Sequence, residues 1–89
     1  MPTVKFAPAL TRHVPCPDQQ VDASTLAAAL DAAFRVAPGL RGYVLDDQGA
    51  VRKHVAVFVN GQLIASRSDL GLQLAPADHV LVIQALTGG

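Results

Sequence analysis

Polar and apolar residues alternate near the start of the chain, with Val4 and Phe6 on one side of the backbone and Thr3 and Lys5 on the other. Period two predicts a strand over residues 3–10, with Pro8 restricting how far it enters a ladder. Pro15 and Pro17 mark a loop over 11–18, and 19–23 reads as the return strand of a hairpin. The pattern then changes period. Leu26, Leu30 and Phe34 recur every fourth residue among alanines, which predicts a helix capped by the Ser24 hydroxyl and stopped at Pro38-Gly39. Residues 40–49 read as irregular, with an Asp46-Asp47-Gln48-Gly49 turn. Val55, Val57 and Val59 restore period two, and Asn60-Gly61 follows at once. Both residues of that pair tolerate positive φ, so they predict a tight hairpin to a partner strand at 62–65. A leucine-bearing connection, 66–76, leads through Ala77-Asp78 to the last strand, built on Val80-Leu81-Val82-Ile83.

The predicted order is strand, strand, helix, strand, short strand, strand. An uninterrupted apolar strand suits the middle of a sheet, and the last strand is the one so built. One main helix covers one face of a mixed four- to five-stranded sheet, which is a two-layer α+β domain of the β-grasp type. Alternation then poses a question about the other face. If Val55, Val57, Val80 and Val82 face the helix, Phe58, Leu81 and Ile83 face away. Either they form an apolar docking patch for a partner, or the 66–76 connection folds over them.

Composition narrows the functional classes. The chain has 89 residues, half of them hydrophobic, with 4% aromatic and no Trp. That is one small domain with an aliphatic core and little volume for a deep pocket. Seven Lys plus Arg balance seven Asp, so bulk charge gives no reason to expect nucleic acid or an anionic membrane as partner. A single Cys makes no internal disulfide. The first residues lack a signal-peptide pattern, and the apolar runs fall far below the roughly 20 residues that span a bilayer. The expectation is a cytoplasmic protein.

Candidate chemistry lies in the last residues. Residues 1–86 read as the folded domain and 87–89 as a flexible Gly-Gly tail. Extended, Leu86 to Gly89 carries the terminal carboxylate on the order of 10 Å beyond the sheet. Gly88 and Gly89 lack side chains, so with Thr87 they suit threading through a narrow channel of another enzyme. An ionised carboxylate is a poor electrophile. Turning it to use requires an acyl adenylate made with ATP and Mg²⁺, from which a sulfur nucleophile displaces AMP and leaves a thiocarboxylate.

The segment His54-Val55-Ala56-Val57-Phe58-Val59-Asn60-Gly61 and the run from Asp78 through Val80-Leu81-Val82-Ile83 to Leu86-Thr87-Gly88-Gly89 resemble the MoaD/ThiS family of ubiquitin-like sulfur-carrier proteins. The resemblance implies that Gly89 is adenylated and thiocarboxylated, and that a MoeB/ThiF-type adenylyltransferase and a sulfur donor are partners. It also allows a larger synthase subunit. ATP and Mg²⁺ belong to the activating partner, with no cofactor bound by the carrier itself. Phe58, Leu81, Ile83 and Leu86 are the expected docking residues. Thr87 stands where such carriers often have Ala, and Gln84 where some have Pro. Length and the Arg52-Lys53 pair favour molybdopterin-type or cysteine-type carriers over thiazole-type ones. Conjugation to protein lysines through Gly89, or a non-covalent interaction module, are the rival readings.

Other residues yield less. Cys16 reads as a loop cysteine, since only His13 stands near it in sequence. His13, Cys16, His54 and His79 match no compact zinc-ligand spacing. Arg52-Lys53 either faces an acidic partner surface or is a solvated lead-in to a strand. No nucleophile–base pair or phosphate loop is present in the sequence, so the chain is not expected to be an enzyme by itself.

Overall fold

The computed structural model describes residues 1–12 and 14–84. Five strands form one sheet: β1 (Thr3–Phe6), β2 (Gln19–Gln20), β3 (Val55–Val59), β4 (Gln62–Leu63) and β5 (His79–Gln84), in the order β2-β1-β5-β3-β4. The last strand is central, as its apolar run requires. It pairs in parallel with β1 (Val4 opposite Val80, Phe6 opposite Val82) and antiparallel with β3 (Val57 opposite Val82, Val55 opposite Gln84). The Asn60-Gly61 hairpin forms with φ of 52° and 81°, the left-handed pair that matches strand twist.

The main helix, α2 (Leu26–Val36), lies across one face of the sheet. Leu26, Ala29, Leu30, Ala33 and Phe34 are buried against Val4, Phe6, Val57, Val80 and Val82. The Phe6 and Phe34 rings meet at 5.9 Å between centroids. Each such aliphatic or aromatic side chain contributes about 1.5–3 kcal/mol of burial free energy, so this layer dominates stability.

Several boundaries differ from the sequence reading. The first strand ends at Phe6, not at residue 10, because Pro8 has no N–H for the ladder and sits instead at the first position of a helical turn, α1 (Pro8–Thr11), that buries Leu10. The α2 cap is Thr25 rather than Ser24. Its Oγ1 accepts from the Ala28 N–H at 3.2 Å, while the Ser24 carbonyl is engaged by the Leu74 N–H at 2.8 Å. The return strands shorten to two residues each: β2 spans only Gln19–Gln20 of residues 19–23, and β4 only Gln62–Leu63 of 62–65. Residues 40–45 are largely helical: a 3₁₀ turn (Pro38–Leu40) runs into α3 (Arg41–Val44), which buries Leu40 and Val44. Proline ends one helix and is well placed to begin the next, so Pro38 is start as well as stop.

The connection between β4 and β5 settles what lies over the outer face. The Leu26 and Ala27 N–H groups donate to the Leu72 and Leu70 carbonyls at 2.8 and 2.7 Å, and Thr25 bridges to Gln73. Leu74 enters the core. This segment therefore completes the first turn of α2, whose amides would otherwise lack partners, and does not fold over the far side of the sheet.

Candidate functional site

On the side of the sheet away from α2, the register sets out a row of side chains. Lys5 lies opposite Leu81, Leu81 opposite Phe58, and Phe58 opposite Leu63. Ala56 and Ile83 form the next pair along. Leu81 is 36% exposed and Leu63 61% exposed, while Phe58, Ala56 and Ile83 are half-buried by their neighbours. Of the predicted docking residues, Phe58, Leu81 and Ile83 thus stand together on a face that no helix among the described residues covers.

Leu63 was missed by the sequence reading although a signal existed. A two-residue Asn60-Gly61 turn fixes Val59 opposite Gln62 and hence Phe58 opposite Leu63. Lys5 was missed for another reason, since parallel pairing of the first and last strands leaves no local trace in the sequence. Leu86, Thr87, Gly88 and Gly89 lie outside the described residues. The described chain reaches Gln84, beside Val55, at the end of the sheet where β1 also finishes.

The opposite end of β5 is clamped by polar groups. Asn60 Nδ2 donates to Asp78 Oδ1 at 2.8 Å, and the Ala75 N–H donates to Asp78 Oδ2 at 2.8 Å. The His79 N–H donates to Asn60 Oδ1 at 2.9 Å. The Asn60 bond, then the Ala75 amide, hold the Asp78 carboxyl below its ordinary pKa. Asp31 is likewise lowered, by Arg41 first and Arg35 second. Arg41 also lies over the Phe34 ring, 5.1 Å from its centroid.

The remaining singled-out residues do not converge. Cys16 is half-buried in its loop, where Gln19 Nε2 donates to its Sγ at 3.1 Å. His54 precedes β3 and His79 opens β5, both exposed, and His13 lies outside the described residues. No group of three His, Cys, Asp or Glu side chains able to hold a metal occurs among the described residues. No helix there is long and apolar enough to cross a membrane.

A mixed five-stranded sheet in this order, with its last strand central and one main helix across one face, defines the ubiquitin-like β-grasp class. Within that class the chain belongs to the ThiS family, whose model matches residues 12–89. It is similar to SAMP1 of Haloferax volcanii, at 27% identity and a TM-score of 0.81 over 99% of this chain and 98% of that one. CysO of Mycobacterium tuberculosis shares the fold at 20% identity and a TM-score of 0.81, over 97% and 100% of the two chains. A chain of the Amycolatopsis orientalis BexX/CysO complex does so at 16% and 0.83, over the full length of both. No curated protein matches the sequence. The protein is a carrier of the ThiS/MoaD type.

Proposed function

We propose that the protein carries sulfur on the carboxyl group of Gly89 for cofactor or cysteine biosynthesis in the cytoplasm, acting as a substrate of other enzymes rather than as a catalyst. An adenylyltransferase of the MoeB/ThiF type joins the carboxylate to the α-phosphate of ATP, with Mg²⁺ assisting and pyrophosphate leaving. Hydrosulfide supplied by a sulfide donor then attacks the acyl carbon. The C–O bond to AMP breaks, AMP departs, and the thiol proton is lost to water, which leaves a thiocarboxylate. Phe58, Leu81, Ile83 and Leu86 form the docking surface, and Thr87 and Gly88 thread the partner's channel. Residues 1–86 serve as the body and 87–89 as the arm. Molybdopterin-type and cysteine-type routes suit the chain better than the thiazole route, and a larger synthase subunit is a further candidate partner.

The observation that carries this reading is the position of β5. A strand gripped on both sides by β1 and β3 leads in sequence to Gly88-Gly89, and its apolar outer face is covered by no helix among the described residues. Gln84 is held beside Val55 at the end of that face, which supports a partner that binds the face and takes up the chain as it leaves the sheet.

Intact-mass spectrometry tests the reading. Incubation with the adenylyltransferase of the same organism, ATP, Mg²⁺ and a sulfide donor is expected to exchange one oxygen for sulfur, and removal of Gly89 to abolish the exchange. An unchanged mass under conditions where the enzyme activates its own carrier overturns it. A second reading is favoured by the similarity to SAMP1, named as a small archaeal modifier protein: the activated Gly89 acylates target lysines. In that case the mass shift gives way to lysine–Gly89 adducts on other proteins.

A further inference from the structure

The described structure divides its cations into two sets. Arg35 and Arg41 both pair with Asp31 on the helical layer. Lys5, Arg12, Arg52, Lys53 and Arg67 have no carboxylate within 4.0 Å among the described residues. Three of these five, Arg52, Lys53 and Arg67, lie on segments that meet beside the finish of β5. Arg52 and Lys53 come just before Val55, the residue paired with Gln84. Arg67 is brought alongside by its own carbonyl, which accepts from the Val51 N–H at 2.9 Å. On the other flank, Arg12 follows α1, after the Ala7 N–H has donated to the Val82 carbonyl at 2.8 Å.

Lys53 and Arg67 also line one groove of about 300 Å³, together with Val55, Val57, Ile64 and Ser66. No described carboxylate is among the residues that line this groove. Asp46 lines the adjoining groove with Arg67 and Ser66, and its Oδ1 accepts from the Gln48 and Ala50 N–H groups at 2.8 and 3.1 Å. Arg52 is oriented rather than neutralised, since its Nε donates to the Gly42 carbonyl at 2.8 Å. A chain with zero net charge therefore sets two cations and no described carboxylate around one groove beside β3.

We infer that Lys53 and Arg67, with Arg52 adjoining, form a docking site for a carboxylate-rich protein surface around the mouth of the channel that receives the arm. The identity of that partner rests on the carrier reading, whereas the charge and its placement do not. Lys53 and Arg67 are too exposed to add much affinity singly. Their effect is to speed and orient encounter, so that the root of the arm meets the channel before the apolar face closes.

Titration of the ¹⁵N-labelled protein with acetylated octaglutamate at low salt tests this without any activation chemistry. Saturable amide shifts are expected at residues 51–54 and 67, fading as added salt shortens the Debye length to a few ångströms. K53E/R67E is expected to remove them and K53Q/R67Q to weaken them. R35E makes a single charge reversal on the helical layer and is expected to leave them in place. Shifts that are absent, or that R35E removes as completely as K53E/R67E, overturn the inference. So does about tenfold tighter binding of an eight-nucleotide oligothymidylate, because that assigns the patch to nucleic-acid phosphates. If the titration succeeds while Gly89 never acquires sulfur, only the carrier reading falls. If sulfur loads and the titration fails, only the docking site does.

Discussion

The two faces of the sheet are made from the same residue types and hold different positions in the molecule. Toward α2, Val4, Phe6, Val55, Val57, Val80 and Val82 are all at most 5% exposed and pack against the helix. Away from it, Ala56, Phe58, Leu63, Leu81 and Ile83 are equally apolar but only partly covered. Alternation along β3 and β5 supplies both sets at once, so one strand sequence builds a core and an outward-facing surface together. The difference between the faces is not hydrophobicity. It is whether the chain has a layer left to place over them, and this chain uses its main helix and its 70–74 segment on one side.

That contrast has a direct energetic test. Phe34→Ala removes a fully buried ring in contact with Phe6 and beneath Arg41, and is expected to cost about 3–5 kcal/mol in urea unfolding. Leu81→Ser is expected to cost less than about 1 kcal/mol, because Leu81 already meets water. Equal losses from the two substitutions would break the comparison. If the outer face docks the activating partner, Leu81→Ser also slows sulfur loading while the fold stays intact.

The smallest expected effect concerns acid. The Asp78 and Asp31 carboxyls are both held below their ordinary pKa, so in the folded state each releases its proton at lower pH than in the unfolded chain. Their stabilising contribution is complete above the unfolded value and is lost as pH falls through the folded one. Urea midpoints measured from pH 6 down to about pH 2 are expected to decline. That decline should be shallower in Asp78→Asn, which keeps an acceptor for Asn60 but has no carboxyl to titrate. An identical slope in the variant would remove Asp78 from the account.

Much of the architecture is legible in local pattern. The Leu26-Leu30-Phe34 stripe, the Val55–Val59 alternation and the Asn60-Gly61 turn each describe interactions within a few residues, and all three appear as read. Boundaries were less legible where a distant segment competes for a backbone group. Ser24 looks like the cap by position, yet its carbonyl is taken by Leu74 and the capping passes to Thr25. At Pro8 and Pro38 the same residue ends one element and starts another, and the sequence reading kept only the first half of that rule.

For the candidate site, Phe58, Leu81 and Ile83 were readable because a strand's side chains alternate strictly. Leu63 followed from the hairpin but was overlooked. Lys5 was readable as facing away from Val4 and Phe6, but its place beside Leu81, and the meeting of Arg67 with Lys53, were not. They depend on parallel pairing between strands more than 70 positions apart and on a loop folded back to Val51.

By itself, then, the order of amino acids determined which segments become strands or helix, which residues share a face, and that the chain runs from an apolar strand into paired glycines. Only the tertiary structure decided that the long connection reinforces the helix instead of covering the outer face, and that Arg67 meets Lys53 beside β3. The physical reason is range. Backbone periodicity and turn chemistry act between near neighbours, whereas coverage and charge clustering depend on which remote segments the fold brings side by side.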